Sequence, residues 1–217
     1  MIICTSLSPN HACAENQEQA VQSWKRFGKC YSLNHPDEQI KSNGIIALST
    51  LKTMQSVLCK PLVNINAFFD FALKNDTDLL LINSDIVLTN LPTFRADGIT
   101  AINRYDYTNT FDDAQFFQAG FDAFYIPKQF LTIFPPSPYA LGSPWHDYWI
   151  PKRVMQRGIP VYLASGFAYH KIHNTQYNDA EWFRMGEYFK WEFGLSGTVP
   201  QVATETITEI RSKLIET

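Results

Sequence analysis

The tripeptide Asn83-Ser84-Asp85 follows directly on the aliphatic run Leu79-Leu80-Leu81-Ile82. Apolar runs of this length read as strands buried on both faces, as in parallel sheets. A carboxylate where such a strand ends lies in the crevice in which open α/β sheets bind ligands. Asp85 is therefore placed to hold a divalent cation against a phosphorylated substrate. Mg²⁺ or Mn²⁺ takes oxygen ligands and keeps waters, so one or two carboxylates plus substrate phosphates complete its shell. Asn83 could exchange a hydrogen bond with a ribose or a metal-bound water. The competing reading makes Asp85 the cap of the turn that follows it.

Two further segments carry reactive side chains. In His170-Lys171-Ile172-His173, a neutral imidazole suits a Mn²⁺-like ion. Residues three apart in an extended segment face opposite sides. At most one of the two histidines then meets a given metal, unless the chain turns between them. The competing reading is a histidine pair without a metal. In Ser143-Pro144-Trp145-His146-Asp147, Asp147 stands near the start of an expected helix. The helix dipole there favours the ionised carboxylate, the state a general base needs near neutral pH; the plain alternative is a capping Asp. Among basic residues that could meet a diphosphate, Arg104 follows an expected strand end. Lys152, Arg153 and Arg157 share one helix and could form a local basic face.

The elements that must position these groups follow from periodicity and punctuation. The spacing predicts a strand over Met1–Leu7, a loop over Ser8–Ala14, a helix over Glu15–Phe27 closed by Gly28, and a strand over Lys29–Leu33. Later strands are expected at Ile45–Leu48, Leu79–Ile82, Ile99–Asn103, Ala119–Ile126, Val161–Leu163 and Phe167–Tyr169. Helices are expected at Pro61–Leu73, with Pro in its first turn, and at Pro144–Arg157, Asn178–Phe193 and Thr204–Ile215. The pattern is α/β: one domain over residues 1–175 with a mostly parallel central sheet flanked by helices, and a C-terminal helical extension over 176–217 packed on it.

Composition narrows the class. The chain has 217 residues, 45% hydrophobic and 14% aromatic, enough for one core. A net charge of −3 gives no global basic field for nucleic acid. Four cysteines, Cys4, Cys13, Cys30 and Cys59, show no C-x-x-C spacing. The opening Met1-Ile2-Ile3-Cys4 lacks a signal-peptide pattern, and no apolar run reaches ~20 residues. These features predict a cytoplasmic protein without a transmembrane segment. The phosphate-loop, dinucleotide-binding, nucleophile-elbow and H-E-x-x-H patterns are absent.

The order of these features resembles that of GT-A fold glycosyltransferases, the nucleotide-sugar-dependent class. An opening βαβ unit leads to Asn83-Ser84-Asp85, then Gly120-Phe121-Asp122-Ala123-Phe124-Tyr125-Ile126, then Trp145-His146-Asp147, then Gly166-Phe167-Ala168-Tyr169-His170. Chondroitin-synthase-like and polypeptide N-acetylgalactosaminyltransferase-like domains show a similar order. Asn83 occupies the first acidic position of the D-x-D-type motif, and His146-Asp147 replaces the usual acidic pair.

The resemblance implies Mn²⁺ or Mg²⁺ held by Asp85 and His170, with His173 as the alternative, and Asp147 as catalytic base. It further implies a nucleoside-diphosphate sugar bound near Thr5, Ser6, Leu7, Asn34, Asn83, Ser84 and Arg104. The sugar would pass to an acceptor hydroxyl with inversion. The acceptor class stays open among saccharides, lipids, proteins and the hydroxylated bases of modified phage-type DNA. A nucleotidyltransferase and a non-catalytic nucleotide-sugar-binding module are the competing functions.

Overall fold

The computed structural model describes residues 1–11, 14–41, 44–173 and 178–216. The chain runs β1 (Ile2–Thr5), α1 (Ala14–Trp24), β2 (Lys29–Asn34), β3 (Ile46–Ser49), α2 (Gln55–Leu58), α3 (Ile65–Lys74), β4 (Leu79–Ile82) and β5 (Ile86–Leu88). It continues through β6 (Ile99–Tyr107), β7 (Gln115–Phe116), β8 (Ala123–Ile126), α4 (His146–Gln156), β9 (Val161–Lys171), α5 (Asp179–Phe193), α6 (Val199–Lys213) and β10 (Ile215–Glu216). The strands form one sheet in the order β10-β9-β6-β8-β4-β1-β2-β3, with β5 on β9 and β7 on β6. Along the main path only β8 runs antiparallel to its neighbours. This is a mixed α/β domain with a mostly parallel central sheet, flanked by helices and followed by a C-terminal helical part.

β4 shows why the aliphatic run matters. Successive side chains of a strand point to opposite faces. Leu79 and Leu81 enter one apolar cluster with Phe68, Phe69, Trp149, Phe189 and Ile210, from the helices α3 to α6. Leu80 and Ile82 enter the other with Ala20, Val21 and Trp24 of α1 and with β5. All four are fully buried. A strand covered on both sides needs an apolar residue at every position, so it reads as a run rather than an alternation. Truncating Leu80 to Ala would cost about 2–5 kcal/mol.

Several expected boundaries move, each for a physical reason. Pro61 does not open α3. Asn64 does, its side chain accepting from the Asn66 N–H. The two short strands expected around Gly166 are one strand, β9. Gly166 takes a positive φ of 84° inside it, and the register against β6 shifts between Ile102 and Arg104. A bulge thus continues the ladder where a break was expected. Ala119–Asp122 is loop, and only Ala123–Ile126 is strand. The last helix begins earlier than Thr204, at a capping box formed by Thr198 and Gln201.

The expected boundary between 175 and 176 falls outside the described residues, as does Cys13. The C-terminal helices are tied to the body. Trp149 Nε1 donates to Glu192 at 2.9 Å, Arg211 donates to Asn103 Oδ1 at 2.8 Å, and β10 adds to the sheet beside β9. Among the described residues, no helix is long and apolar enough to cross a membrane.

Candidate functional site

A cavity of about 770 Å³ opens at the ends of β1 and β4 and runs past the start of α4. That volume suits a small-molecule ligand. Asp85 lines it, and strand pairing explains why this carboxylate meets distant histidines. The chain turns through Asn83-Ser84-Asp85 and re-enters the sheet as β5, antiparallel to β9, with Ile86 opposite His170. Trp24 of α1 fixes this return by donating its indole N–H to the Ile86 carbonyl at 2.7 Å. Asp106 of β6 flanks His170 on the other side.

Three imidazoles converge on the Asp85 carboxylate. His173 Nε2 lies 2.9 Å from Oδ2, His170 Nε2 3.5 Å and His11 Nε2 3.6 Å. His170 and His173 also approach each other, Nε2 to Nε2, at 3.2 Å. The exception to strand alternation applies here: β9 ends at Lys171, and beyond it the chain turns His173 back onto Asp85, so both histidines meet the carboxylate. The side chains are buried, with 4% of His11, 10% of His170, 12% of His173 and 15% of Asp85 exposed. Burial alone would raise the Asp85 carboxyl, but hydrogen bonds from His11, His170 and His173 hold it well below the usual carboxylate range. His170 is opposed by burial, yet its bonds to Asp106 and Asp85 raise it to about 9.

Asp106 accepts from His170 Nδ1 at 2.9 Å, fixing the ring so that Nε2 faces Asp85. A carboxylate behind a histidine is the usual outer support of a metal ligand. Arg104 is committed to the protein: Nε donates to Asp106 at 2.7 Å, Nη1 donates to Asp122 at 2.7 Å, and the guanidinium lies over the Phe117 ring. It lines the cavity with its donors engaged by carboxylates. Asn83 donates to the same Asp122 oxygen at 2.9 Å. Asn83 Oδ1 and Asp122 Oδ2 are buried with no hydrogen-bond partner among the described residues, acceptors of the kind a hydroxylated ligand or a metal-bound water satisfies.

Asp147 occupies the first turn of α4, as its sequence context implies. Its carboxyl stays ionised near neutral pH, as expected, but its shift runs against the helix dipole. Burial outweighs the helix terminus and the nearby His146, and raises the carboxyl to about 6. Trp145, just before the helix, adopts a left-handed φ of 74° that a non-glycine residue rarely takes. Packing holds it there: its indole N–H donates to the Trp182 carbonyl at 2.9 Å, and the ring lies against Trp182 and Phe189.

The nucleotide-side residues divide into two groups. Ser6 and Leu7 line the cavity, as do Asn83, Ser84 and Arg104. Thr5 and Asn34 lie beneath it, 0% and 2% exposed. Asn34 donates to the Leu7 carbonyl at 2.7 Å and accepts from Ser32, which also holds the Leu7 N–H. It shapes the loop that faces the ligand. Lys152 and Arg153 are paired with Glu209 and Glu192, so the expected basic face is largely neutralised.

His11, Asp106 and Asp122 were not singled out as site residues from sequence. The one sequence-level signal for His11 is a count: the chain has five histidines, and three of them gather here.

Fold and site together define a single α/β domain with a histidine–aspartate cluster and a buried helix-start carboxylate on one cavity. No protein-family model matches the chain, and no curated protein matches it. Among solved structures, the crystal structure of A197 from STIV aligns with a TM-score of 0.42 and 11% identity, over 79% of this chain and 85% of that one.

Proposed function

We propose that the protein is a cation-dependent glycosyltransferase that moves a sugar from a nucleoside diphosphate to an acceptor hydroxyl with inversion. The observation that carries this reading is that Ser6 and Leu7, the Asp85 cluster, and Asp147 all line one cavity. A donor nucleotide, its diphosphate and the acceptor oxygen need groups of these kinds in one cavity. Charge supports the cation. The cavity wall carries Glu38, Asp85, Asp106, Asp122, Asp147 and Glu181 against Arg104, Lys60 and the raised His170. An anionic diphosphate would be repelled from such a wall unless a cation accompanied it.

Asp85, His170 and His173 would hold the ion, which when bound would offset charge on the departing diphosphate. Asp147 takes the proton from the acceptor hydroxyl. The oxygen attacks the anomeric carbon, and the bond from that carbon to the phosphate oxygen breaks, its electron pair leaving with the diphosphate. A carboxyl with its pKa raised to about 6 is still ionised near neutral pH and a stronger base than an exposed one.

A neutral hydroxylated acceptor suits the site better than nucleic acid, since Lys152 and Arg153 are already paired. We take the cytoplasm as the setting, in keeping with the free cysteines Cys4, Cys30 and Cys59.

The test is Asp147→Asn. It should bind UDP- or GDP-sugar as wild type does and lose transfer by about 10²–10⁴-fold. Transfer at the wild-type rate would remove Asp147 from the reaction. A wild-type protein that binds sugar nucleotides but cleaves none with any acceptor would favour a non-catalytic binding module.

A further inference from the structure

We infer that His11 is a metal ligand, and that the ion at Asp85 sits in a nitrogen-rich shell selecting a transition ion over Mg²⁺. The inference rests on the reading of Asp85 as a cation ligand, and it is independent of glycosyl transfer. His11, Asp85 and His173 each place one donor atom within 4.8 Å of the others. His170 stands beside them, 3.2 Å from His173 Nε2 and 3.5 Å from Asp85 Oδ2.

The spacing fits an ion. Protein nitrogen and oxygen ligands lie about 2.0–2.2 Å from Zn²⁺, so neighbouring donors in a tetrahedral or octahedral shell stand roughly 3.0–3.5 Å apart. The separations of 2.9, 3.2, 3.5 and 3.6 Å around Asp85 fall in or beside that range. Without a cation, the same geometry crowds imidazole nitrogens around one carboxylate oxygen and sets two of them against each other. A metal accepts a lone pair from each and removes that conflict.

The donor types then choose the ion. Mg²⁺ takes oxygen ligands and dehydrates reluctantly. Imidazole suits zinc and the later first-row ions, and affinities rise from Mn²⁺ through Co²⁺. One carboxylate among two or three imidazoles therefore disfavours Mg²⁺. His11 also lies in the loop after β1, the segment that carries Ser6 and Leu7, so the ion would tie that loop to the Asp85 turn.

The test uses the full chain stripped with chelator and titrated with Zn²⁺, Co²⁺, Mn²⁺ and Mg²⁺ separately. Wild type should bind one ion per chain, with Zn²⁺ and Co²⁺ tighter than Mn²⁺ and Mg²⁺ weakest. Co²⁺ should develop visible absorption that reports nitrogen ligation. His11→Ala should weaken Co²⁺ binding by at least about 10-fold and change that spectrum, since even partners one shell out cost 10–100-fold. His11→Asn, with urea unfolding of both variants, checks that the fold survives. Wild-type Co²⁺ affinity and spectrum in folded His11 variants would overturn the role of His11 and leave Asp85 standing. Mg²⁺ binding as tightly as Zn²⁺ would overturn the selectivity. Binding of no ion would overturn the cation reading altogether, while sugar-nucleotide binding would still be measured on its own.

Discussion

Gly120 and Asp147 share one space: a Cβ at position 120 would overlap the Oδ2 of Asp147. The loop that leads into β8 thus forms a cradle for the carboxylate that opens α4. The neighbouring Phe121 amide contributes a hydrogen bond to it. Gly120 is needed here for its missing side chain. Gly120→Ala should displace the carboxylate and lower transfer by about 10²-fold or more, a misplacement of the size that costs catalysis dearly. Donor binding, followed by calorimetry, should change little. Unaltered turnover in Gly120→Ala would mean that the carboxylate tolerates the shift and is not a positioned base.

The ionisation of Asp147 sets a pH dependence. With the carboxyl raised to about 6, transfer should rise with pH through an acid limb near 6, as the base loses its proton. The residual activity of Asp147→Asn should lack that limb. Measuring kcat/KM from pH 4.5 to 8 in both proteins checks it. The same limb in the Asn variant would assign the proton to another group.

Stability should move the opposite way. A carboxyl whose folded pKa is raised binds its proton more tightly in the folded state than in the unfolded one. Stability is then lost as pH rises from about 4 to about 6, and the penalty persists above that. Asp147→Asn removes the ionisable group, so near pH 7.5 it should be more stable than wild type by about 1–3 kcal/mol. The gap should close toward pH 4. Denaturant unfolding at the two pH values measures it, and a variant less stable at both would show that burial of the charge is fully compensated.

Gly186 in α5 makes room for the strained Trp145. A Cβ there would stand 2.7 Å from Trp145 Cζ2 and clash with Val199. Gly186→Ala should destabilise the fold by about 1–3 kcal/mol through overpacking, and it should loosen the turn that launches α4. The check is unfolding free energy together with transfer rate. A stabilised Gly186→Ala would show that α5 can move without cost.

The parts of this molecule legible in the sequence were those with local causes. The Leu79–Ile82 run declared a doubly covered strand, and Asp147 declared a helix start. The strand expected over Lys29–Leu33 is found one residue longer, as Lys29–Asn34. His173 was legible as a candidate but not its direction, because that depends on where β9 stops. Asp106 is set by the pairing of β6 with β9, and His11 by the pairing of β1 with β4, which brings the loop after β1 beside the Asp85 turn; these contacts join segments far apart in the chain, and no spacing rule reaches them. The upward direction of the Asp147 shift was not legible for a related reason. The helix terminus is local, but the burial that outweighs it comes from packing against distant segments, among them the loop at Gly120, and the nearby Asp122 adds to it.

The measurement that bears most directly on the account is hydrolysis of a panel of UDP- and GDP-sugars by chelated protein with one cation restored at a time, in wild type and Asp85→Asn. The account predicts release of nucleoside diphosphate and sugar from one donor, dependent on the added cation and lost in Asp85→Asn. Cation-independent cleavage, or equal cleavage by Asp85→Asn, would contradict it.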